Sequence, residues 1–139
     1  MIPKWHILFG AVFSLFLFFF FSASLLNSAI VFLASVLIDF DHYLLSIRRL
    51  KSLSLRKSYN WYLNLIHPHK PALHIFHTVE FIIFILILAF FHEFFLFILI
   101  GILFHSLLDI IEMSYHKFLS DREYFLTRYL LNKNKSKYL

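Results

Sequence analysis

The chain has 139 residues, of which 60% are hydrophobic and 15% are charged, whereas about a quarter of the residues in soluble domains are charged. It holds 20 phenylalanines, 2 glycines and no cysteine, which excludes disulfides and thiolate metal sites and is typical of a lipid-facing helical protein. The length predicts one domain. The net charge of +5 is compatible with a nucleic-acid partner or a membrane surface, and the placement of the basic residues separates the two.

Apolar segments dominate the chain and are long enough to be membrane spans. Residues 7–26 carry no charge and, as a helix, reach across about 30 Å of hydrocarbon. A cleaved signal peptide is the alternative for this segment, but the apolar run is too long and Ala23-Ser24 is a poor cleavage site. We expect polar turns at Asn27-Ser28, with Ser28 as an N-cap, and at His92-Glu93. The pattern predicts an all-α integral membrane protein with a bundle of four transmembrane helices: 7–26, 29–47, 73–91 and 94–113.

The basic residues indicate the orientation of this bundle. All 13 lysines and arginines lie before the first predicted span, between the second and third, or after the fourth. These positions share one side of an up-down-up-down bundle, and the positive-inside rule places that side, with both termini, in the cytoplasm. The inner cell membrane is the predicted location, and nucleic acid is disfavoured as a partner. We expect a membrane domain over 1–115 with an amphipathic surface segment over 48–72, and a basic cytoplasmic tail over 116–139 that carries a short surface helix and frays at its end.

Ionisable side chains lie near the cytoplasmic end of every predicted span and almost nowhere else in the spans. Such groups are costly in hydrocarbon, so they normally face a cavity, a partner or a metal ion. Carboxylate oxygens with imidazole nitrogens suit a divalent ion, with zinc expected first and manganese or iron as alternatives, at one or two ions per chain. An acidic helix end with a capping role is the alternative for the Asp-Phe-Asp-His stretch. The candidate residues are His6, Asp39, Asp41, His42, His74, His77, Glu80, His105 and Asp109.

Helical spacing sorts these candidates by role. Asp39 and His42, His74 and His77, and His105 and Asp109 are three or four residues apart, so each pair shares a helix face, and Glu80 continues the line of His74 and His77. Successive residues of a helix are about 100° apart around its axis, so Asp41 falls outside the face that Asp39 and His42 share. It therefore needs local unwinding of the helix to reach the metal, or it contacts the ligands instead of the metal. Glu80 or His74 is the predicted general base. The expected metal ligands are Asp39, His42, His77, His105 and Asp109, with Asp41 and His6 as further ligands or orienting groups.

Several of these motifs resemble those of a known family. The early His6, the DFDH element at 39–42, the His77-Thr78 pair and the HSLLD element at 105–109 are similar to the membrane-bound metal-dependent hydrolase family that includes a LexA-regulated inner-membrane protein. Members of that family carry an early histidine, a DxDH element, an HR…THS element and a late HxxxD. The resemblance covers residues 6–109 and implies a metal-dependent hydrolase, without implying a substrate. The pattern is more remotely similar to that of zinc-dependent phospholipases C.

The middle element of the resemblance departs from the family pattern. Taking His77 as the histidine of THS puts Ala72 where the family has HR. An alternative register pairs His69-Lys70 with HR and His74 with the second histidine, at the cost of Leu73 and Ile75 where threonine and serine are expected. Spacing leaves both registers open.

A metal site at headgroup depth predicts a hydrolase that acts on a membrane lipid or a lipid-phosphate ester. Arg48, Arg49 and Lys70 are candidates to attract the phosphate. The alternative is a metal-ion or proton transporter or a metal sensor, which is disfavoured because a conduction pathway needs polar residues at both depths. A structural membrane protein without catalysis is the third hypothesis, and the oligomeric state stays open.

Overall fold

Helices form most of the chain, and the protein is all-α. The computed structural model describes residues 3–65 and 71–132. The helices are α1 (Pro3–Phe20), α2 (Leu25–Leu37), α3 (Phe40–Leu50), α4 (Leu55–Leu63), α5 (Val79–Ala89), α6 (Glu93–Tyr115) and α7 (Leu126–Asn132). The remaining elements are the two-residue strands β1 (Ala72–Leu73) and β2 (Arg122–Glu123) and the 3-10 turns Ile75–His77 and Leu119–Asp121.

Helix α2 is the centre of the packing, because α1 and α6 both lie against it and α5 lies against α6. The 2 glycines of the chain, one on α1 and one on α6, face α2. A Cβ at Gly101 would lie 2.5 Å from the carbonyl oxygen of Val31 and 2.8 Å from Ala34 Cβ, and a Cβ at Gly10 would collide with the Ser35 hydroxyl. The absence of a side chain at these two positions therefore allows the close approach of three helices.

Two helical stretches are long and apolar enough to cross a membrane, namely Leu25–Leu50, which joins α2 and α3, and Glu93–Tyr115. The apolar helices at Lys4–Phe20 and Val79–Ala89 are shorter. Large apolar side chains cover the outside of the protein, and the turns of both helix pairs expose phenylalanines, with Phe20 76% and Phe91 81% exposed. Continuous apolar surface of this kind is typical of contact with lipid or with another protein.

The first predicted turn is wrong in position. Helix α2 begins at Leu25 rather than at residue 29, because the Ser24 hydroxyl accepts a hydrogen bond from Asn27 N–H at 3.1 Å and caps the helix. Ser28, predicted as the cap, lies buried one turn inside α2. Ser22 adopts a positive φ of 52°, which turns the chain before the cap. Ser24 and Ser28 both lie among apolar residues, so composition alone does not show which of them caps α2.

The helix of the third predicted span is also shorter than expected. Residues 72–77 form a strand and a 3-10 turn, and the helix begins only at Val79. Thr78 is its cap, with a hydroxyl that accepts from Phe81 N–H at 3.3 Å and donates to the Ile75 carbonyl at 2.8 Å. The predicted turn at His92-Glu93 is confirmed, because Phe94 N–H donates to the His92 ring at 3.1 Å and α6 begins at Glu93.

The helix of the second predicted span is interrupted between α2 and α3. Ile38 and Asp39 form a turn there, in which His42 N–H donates to the Asp39 carbonyl at 3.0 Å, a three-residue rather than a four-residue spacing. This is the local unwinding that Asp41 requires in order to face inward, and Asp41 is buried.

Residues 119–127 contact the rest of the chain through β2 and the beginning of α7. Strand β2 pairs in parallel with β1, with Ala72 opposite Arg122 and Leu73 opposite Glu123. The Glu123 side chain is fully buried and accepts from Arg128 Nε at 2.9 Å. The expectation of a frayed end falls on residues 133–139, which lie outside the described ranges.

Candidate metal centre

Four candidate ligands from three parts of the chain converge at the break between α2 and α3: Asp39, His77, His105 and Asp109. The Nε2 atoms of His77 and His105 are 3.2 Å apart. Asp39 Oδ1 lies 3.3 Å from His105 Nε2 and 3.7 Å from His77 Nε2. Asp109 Oδ2 lies 3.5 Å from His105 Nε2 and 3.6 Å from His77 Nε2. One ligand atom from each residue lies within 4.8 Å of all the others.

The second nitrogen of each histidine fixes which atom faces this centre. His105 Nδ1 lies 2.7 Å from the Ser35 carbonyl oxygen, and His77 Nδ1 lies 3.2 Å from Asp41 Oδ2. Carbonyl and carboxylate oxygens only accept, so each neutral ring carries its proton on Nδ1 and turns the Nε2 lone pair inward. When both rings are neutral, two nitrogen lone pairs and two carboxylate oxygens therefore face one another, which is an arrangement that can bind a cation.

The spacing of these four atoms fits a tetrahedral ion. Zinc binds nitrogen and oxygen at about 2.0–2.1 Å, and a tetrahedron with such bonds separates its ligand atoms by about 3.3–3.4 Å. The separations between the histidine nitrogens and their three neighbours run from 3.2 to 3.7 Å. Histidine and carboxylate ligands without thiolate also suit manganese and iron, so the residues fit a borderline divalent ion.

A second group of possible ligands, Asp41, His42 and His74, lies beside the first. Asp41 Oδ1, His42 Nε2 and His74 Nδ1 are buried, and none of the three has a hydrogen-bond partner in the described part of the chain. Buried polar atoms normally have partners, so three such atoms in one place fit the binding of a cation. Asp39 Oδ1 lies 3.5 Å from His42 Nε2 and 3.3 Å from His105 Nε2, so one oxygen joins the two groups. The residues present therefore fit two ions.

Asp109 has partners on both of its oxygens. His6 Nε2 lies 3.2 Å from Oδ1, and the His6 ring stacks on His105 with ring centres 4.0 Å apart. Arg122 donates to Oδ2 at 2.7 Å. His6 thus lies beside the four-residue group, in a position from which it can orient Asp109.

Two residues near the centre were missed by the sequence analysis. Arg122 lies in the basic region after α6, where nothing in the sequence distinguishes it from the other cations. The hydroxyl of Tyr62 donates to the carbonyl of His42 at 2.9 Å and links α4 to α3. Burial, together with the carboxylates of Asp41 and Asp39, raises the pKa of Tyr62, so the hydroxyl keeps the proton that it donates.

The structure places the two predicted general bases, His74 and Glu80, in different surroundings. His74 belongs to the second ligand group, with Nδ1 3.7 Å from Asp41 Oδ1. Glu80 accepts hydrogen bonds from Leu126 N–H at 3.0 Å and from the N–H and hydroxyl of Thr127 at 3.0 and 2.8 Å, so it holds the beginning of α7. The structure does not bring Glu80 into the centre, and its predicted role as a base has no support in these contacts.

Two of the three predicted phosphate-attracting cations lie within the described residues. Arg48 and Arg49 are exposed in the last turn of α3. Lys70 and the alternative register through His69-Lys70 lie outside the described residues.

Comparisons with family models, with curated proteins and with solved structures find no match for this chain. The similarity to membrane-bound metal-dependent hydrolases therefore stays a prediction, and the function rests on the geometry of the centre.

Proposed function

We propose that the protein is a membrane-embedded hydrolase that uses one or two divalent metal ions to cleave a lipid or lipid-phosphate ester at the cytoplasmic face of the inner membrane. The convergence of the inward Nε2 atoms of His77 and His105 with the carboxylates of Asp39 and Asp109 carries the proposal. When bound, a divalent ion supplies the Lewis acidity that activates water and polarises a phosphoryl or acyl oxygen.

The residues around the ligands have two roles, namely orienting the ligands and transferring protons. The Ser35 carbonyl and Asp41 hold the two histidine rings in one tautomer, and His6 holds Asp109. With one ion in the first group, His74 stays available as a general base; with two ions, it is a ligand. Asp39 lies between the two groups and serves either arrangement.

An apolar groove beside the centre supports a lipid substrate. Its volume is about 180 Å³, and it lies between α2, α5 and α6. Three of its lining residues adjoin the candidate ligands, since Ile38 precedes Asp39, Phe76 precedes His77, and Ile102 lies one turn before His105. We assign the groove to a hydrocarbon chain of the substrate, because a chain lying there brings its polar end to the ligands.

A topology with four crossings, in which the shorter helices α1 and α5 cross together with the residues that flank them, accounts for the distribution of charge. Their two turns carry exposed phenylalanines, whereas basic residues such as Arg49 and Lys51 lie at the end where the ligands meet. The chain has no cysteine, so single cysteines report topology directly. An impermeant maleimide is expected to label Phe91→Cys in intact cells and Lys51→Cys only after permeabilisation. The reverse labelling contradicts the orientation.

Metal content and activity test the hydrolase itself. The protein is purified in detergent without chelators, its metals are quantified, and it is incubated with a panel of lipid phosphates and carboxylic esters. We expect metal in the protein and a metal-dependent product that Asp39→Asn abolishes. Glu93→Gln is the control, because Glu93 lies at the end of α6 opposite to His105 and Asp109. We expect this variant to keep both the metal and the activity. Wild-type protein that neither contains nor rebinds a metal ion contradicts the proposal.

A further inference from the structure

Arg122 is a buried cation with spare hydrogen-bonding capacity beside the metal centre. Its side chain is 9% exposed, and its guanidinium donates to Asp109 Oδ2 at 2.7 Å. A guanidinium has five N–H donors. Within the described residues this contact is the one hydrogen bond of the Arg122 side chain, so the remaining donors are left for a ligand.

The backbone holds this side chain in place. Arg122 pairs with Ala72 in the two-stranded sheet, and its neighbour Glu123 is fully buried. Val79 N–H then donates to the Tyr124 carbonyl at 2.9 Å, which ties the chain to the beginning of α5. An arginine fixed on both sides loses little conformational freedom when it binds a ligand.

The charge around Arg122 favours an anion. Asp109 neutralises the guanidinium, but the same carboxylate is a candidate ligand with Oδ2 3.5 Å from His105 Nε2. With two divalent ions in the centre, the four positive charges of the ions and the one of Arg122 exceed the three negative charges of Asp39, Asp41 and Asp109, which leaves a local excess of positive charge. A buried cation next to another cation is costly unless a further anion is bound.

We propose that Arg122 binds a phosphate oxygen of the substrate, so that the substrate is a phosphate ester of a lipid rather than a carboxylic ester. The planar fork of arginine matches two oxygens of a phosphate group, and its charge strengthens both hydrogen bonds. In the hydrolysis, a water oxygen forms a bond to phosphorus, the bond from phosphorus to the lipid oxygen breaks, and a proton passes to that leaving oxygen. This assignment rests on the proposed function, because it needs the metal centre beside Arg122.

Inorganic phosphate is the probe for this site. Its binding to the zinc-saturated full chain in detergent is measured by titration calorimetry for the wild type, Arg122→Gln and Arg122→Lys. Arg56→Gln is the control, because Arg56 is an exposed cation on α4 outside the centre. We expect at least about a tenfold loss of phosphate affinity in Arg122→Gln, a smaller loss in Arg122→Lys and none in Arg56→Gln.

The zinc content of each variant separates the two proposals. Zinc-loaded wild type that binds no phosphate, or zinc-loaded Arg122→Gln with wild-type phosphate affinity, overturns the role of Arg122 and leaves the hydrolase standing. If Arg122→Gln does not fold, unchanged phosphate affinity in Arg122→Lys overturns it in the same way. Wild type without zinc binding contradicts the proposed function and the phosphate site with it. In steady-state kinetics, Arg122→Lys raises KM for phosphate esters more than it changes kcat, which a purely structural role would not do.

Discussion

The Nε2 atoms of His77 and His105 lie 3.2 Å apart, and the Nδ1 atom of each ring lies within hydrogen-bonding distance of an oxygen. Two lone pairs at this distance repel each other unless a proton or a metal ion lies between them, and a metal ion can replace such a proton. We expect His105→Gln to lose the metal bound in the first ligand group, measured as ions per chain by elemental analysis. His92→Gln, in the turn before α6, is the matched control and keeps the wild-type content. Equal metal content in the two variants would exclude His105 as a ligand.

Asp41 contributes to the centre in two ways. Its Oδ2 orients His77, and the residue also belongs to the second ligand group. Its Oδ2 accepts from Phe76 N–H at 2.9 Å and lies 3.2 Å from His77 Nδ1. Removing a partner that orients a ligating histidine typically costs about 10–100-fold in metal affinity. We expect a loss of that size or more in Asp41→Asn, measured by competition with a chromogenic chelator. Glu112→Gln, one turn beyond Asp109, serves as the control, and an affinity no lower in Asp41→Asn than in that variant would contradict the role.

Metal removal is expected to destabilise the protein. An ion that binds only the folded state adds about 2.7 kcal/mol to the free energy of unfolding at one hundred times its Kd. A chelator should therefore lower the unfolding temperature in detergent, and added zinc should restore it. Protons compete for the histidine nitrogens, so zinc affinity falls as the pH is lowered. An unfolding temperature that responds to neither chelator nor zinc speaks against a metal centre.

The groove between α2, α5 and α6 gives a prediction about chain length. Ile102 is buried and lines this groove, so Ile102→Trp fills the space assigned to a hydrocarbon chain. We expect KM to rise for long-chain substrates while kcat and short-chain substrates change little. Leu103→Trp, on the outward face of α6 with 47% exposure, is the control. Equal effects of Ile102→Trp on long and short chains would exclude the groove as the chain site.

Gly101 tests the close packing of α6 on α2. Alanine raises helix propensity by up to about 1 kcal/mol over glycine. Its Cβ, however, would lie 2.5 Å from the Val31 carbonyl oxygen, and overpacking against backbone costs about 1–3 kcal/mol. We expect Gly101→Ala to lower the unfolding temperature and the zinc affinity, because His105 lies one turn further along α6. Leu103→Ala on the outward face should change zinc affinity little, and a Gly101→Ala protein as stable as wild type would show that the helices can separate at no cost.

The meeting of the candidate ligands could be predicted from sequence because two simple regularities reinforce each other. Apolar segments alternate in direction, and the polar residues lie at the same end of each, so His6, Asp39 and His105 must approach one another whatever the exact helix ends. This reasoning fails within the centre. Helical spacing put Asp41 outside the ligand face because it assumes an unbroken helix. No glycine or proline in the sequence marks the break at Ile38-Asp39.

Contacts between residues that are far apart in the sequence cannot be predicted from helical periodicity. Glu80 follows His77 at helical spacing, yet it bonds to Leu126 because residues 75–77 form a 3-10 turn and α7 folds back onto α5. Arg122 reaches Asp109 through a strand pair of two residues, which is too short to leave a periodic pattern. These features depend on long-range packing, whereas periodicity reports only the local face of an element.

The segment from 119 to 132 adds a contact to the centre from outside the ligand set. Every candidate ligand from His6 to Asp109 precedes it in the chain, and it reaches them through the pairing of β2 with β1 and the hydrogen bond from Arg122 to Asp109. The ligands and the residues that adjoin them from this segment are therefore separate stretches of sequence, which mutation can alter independently.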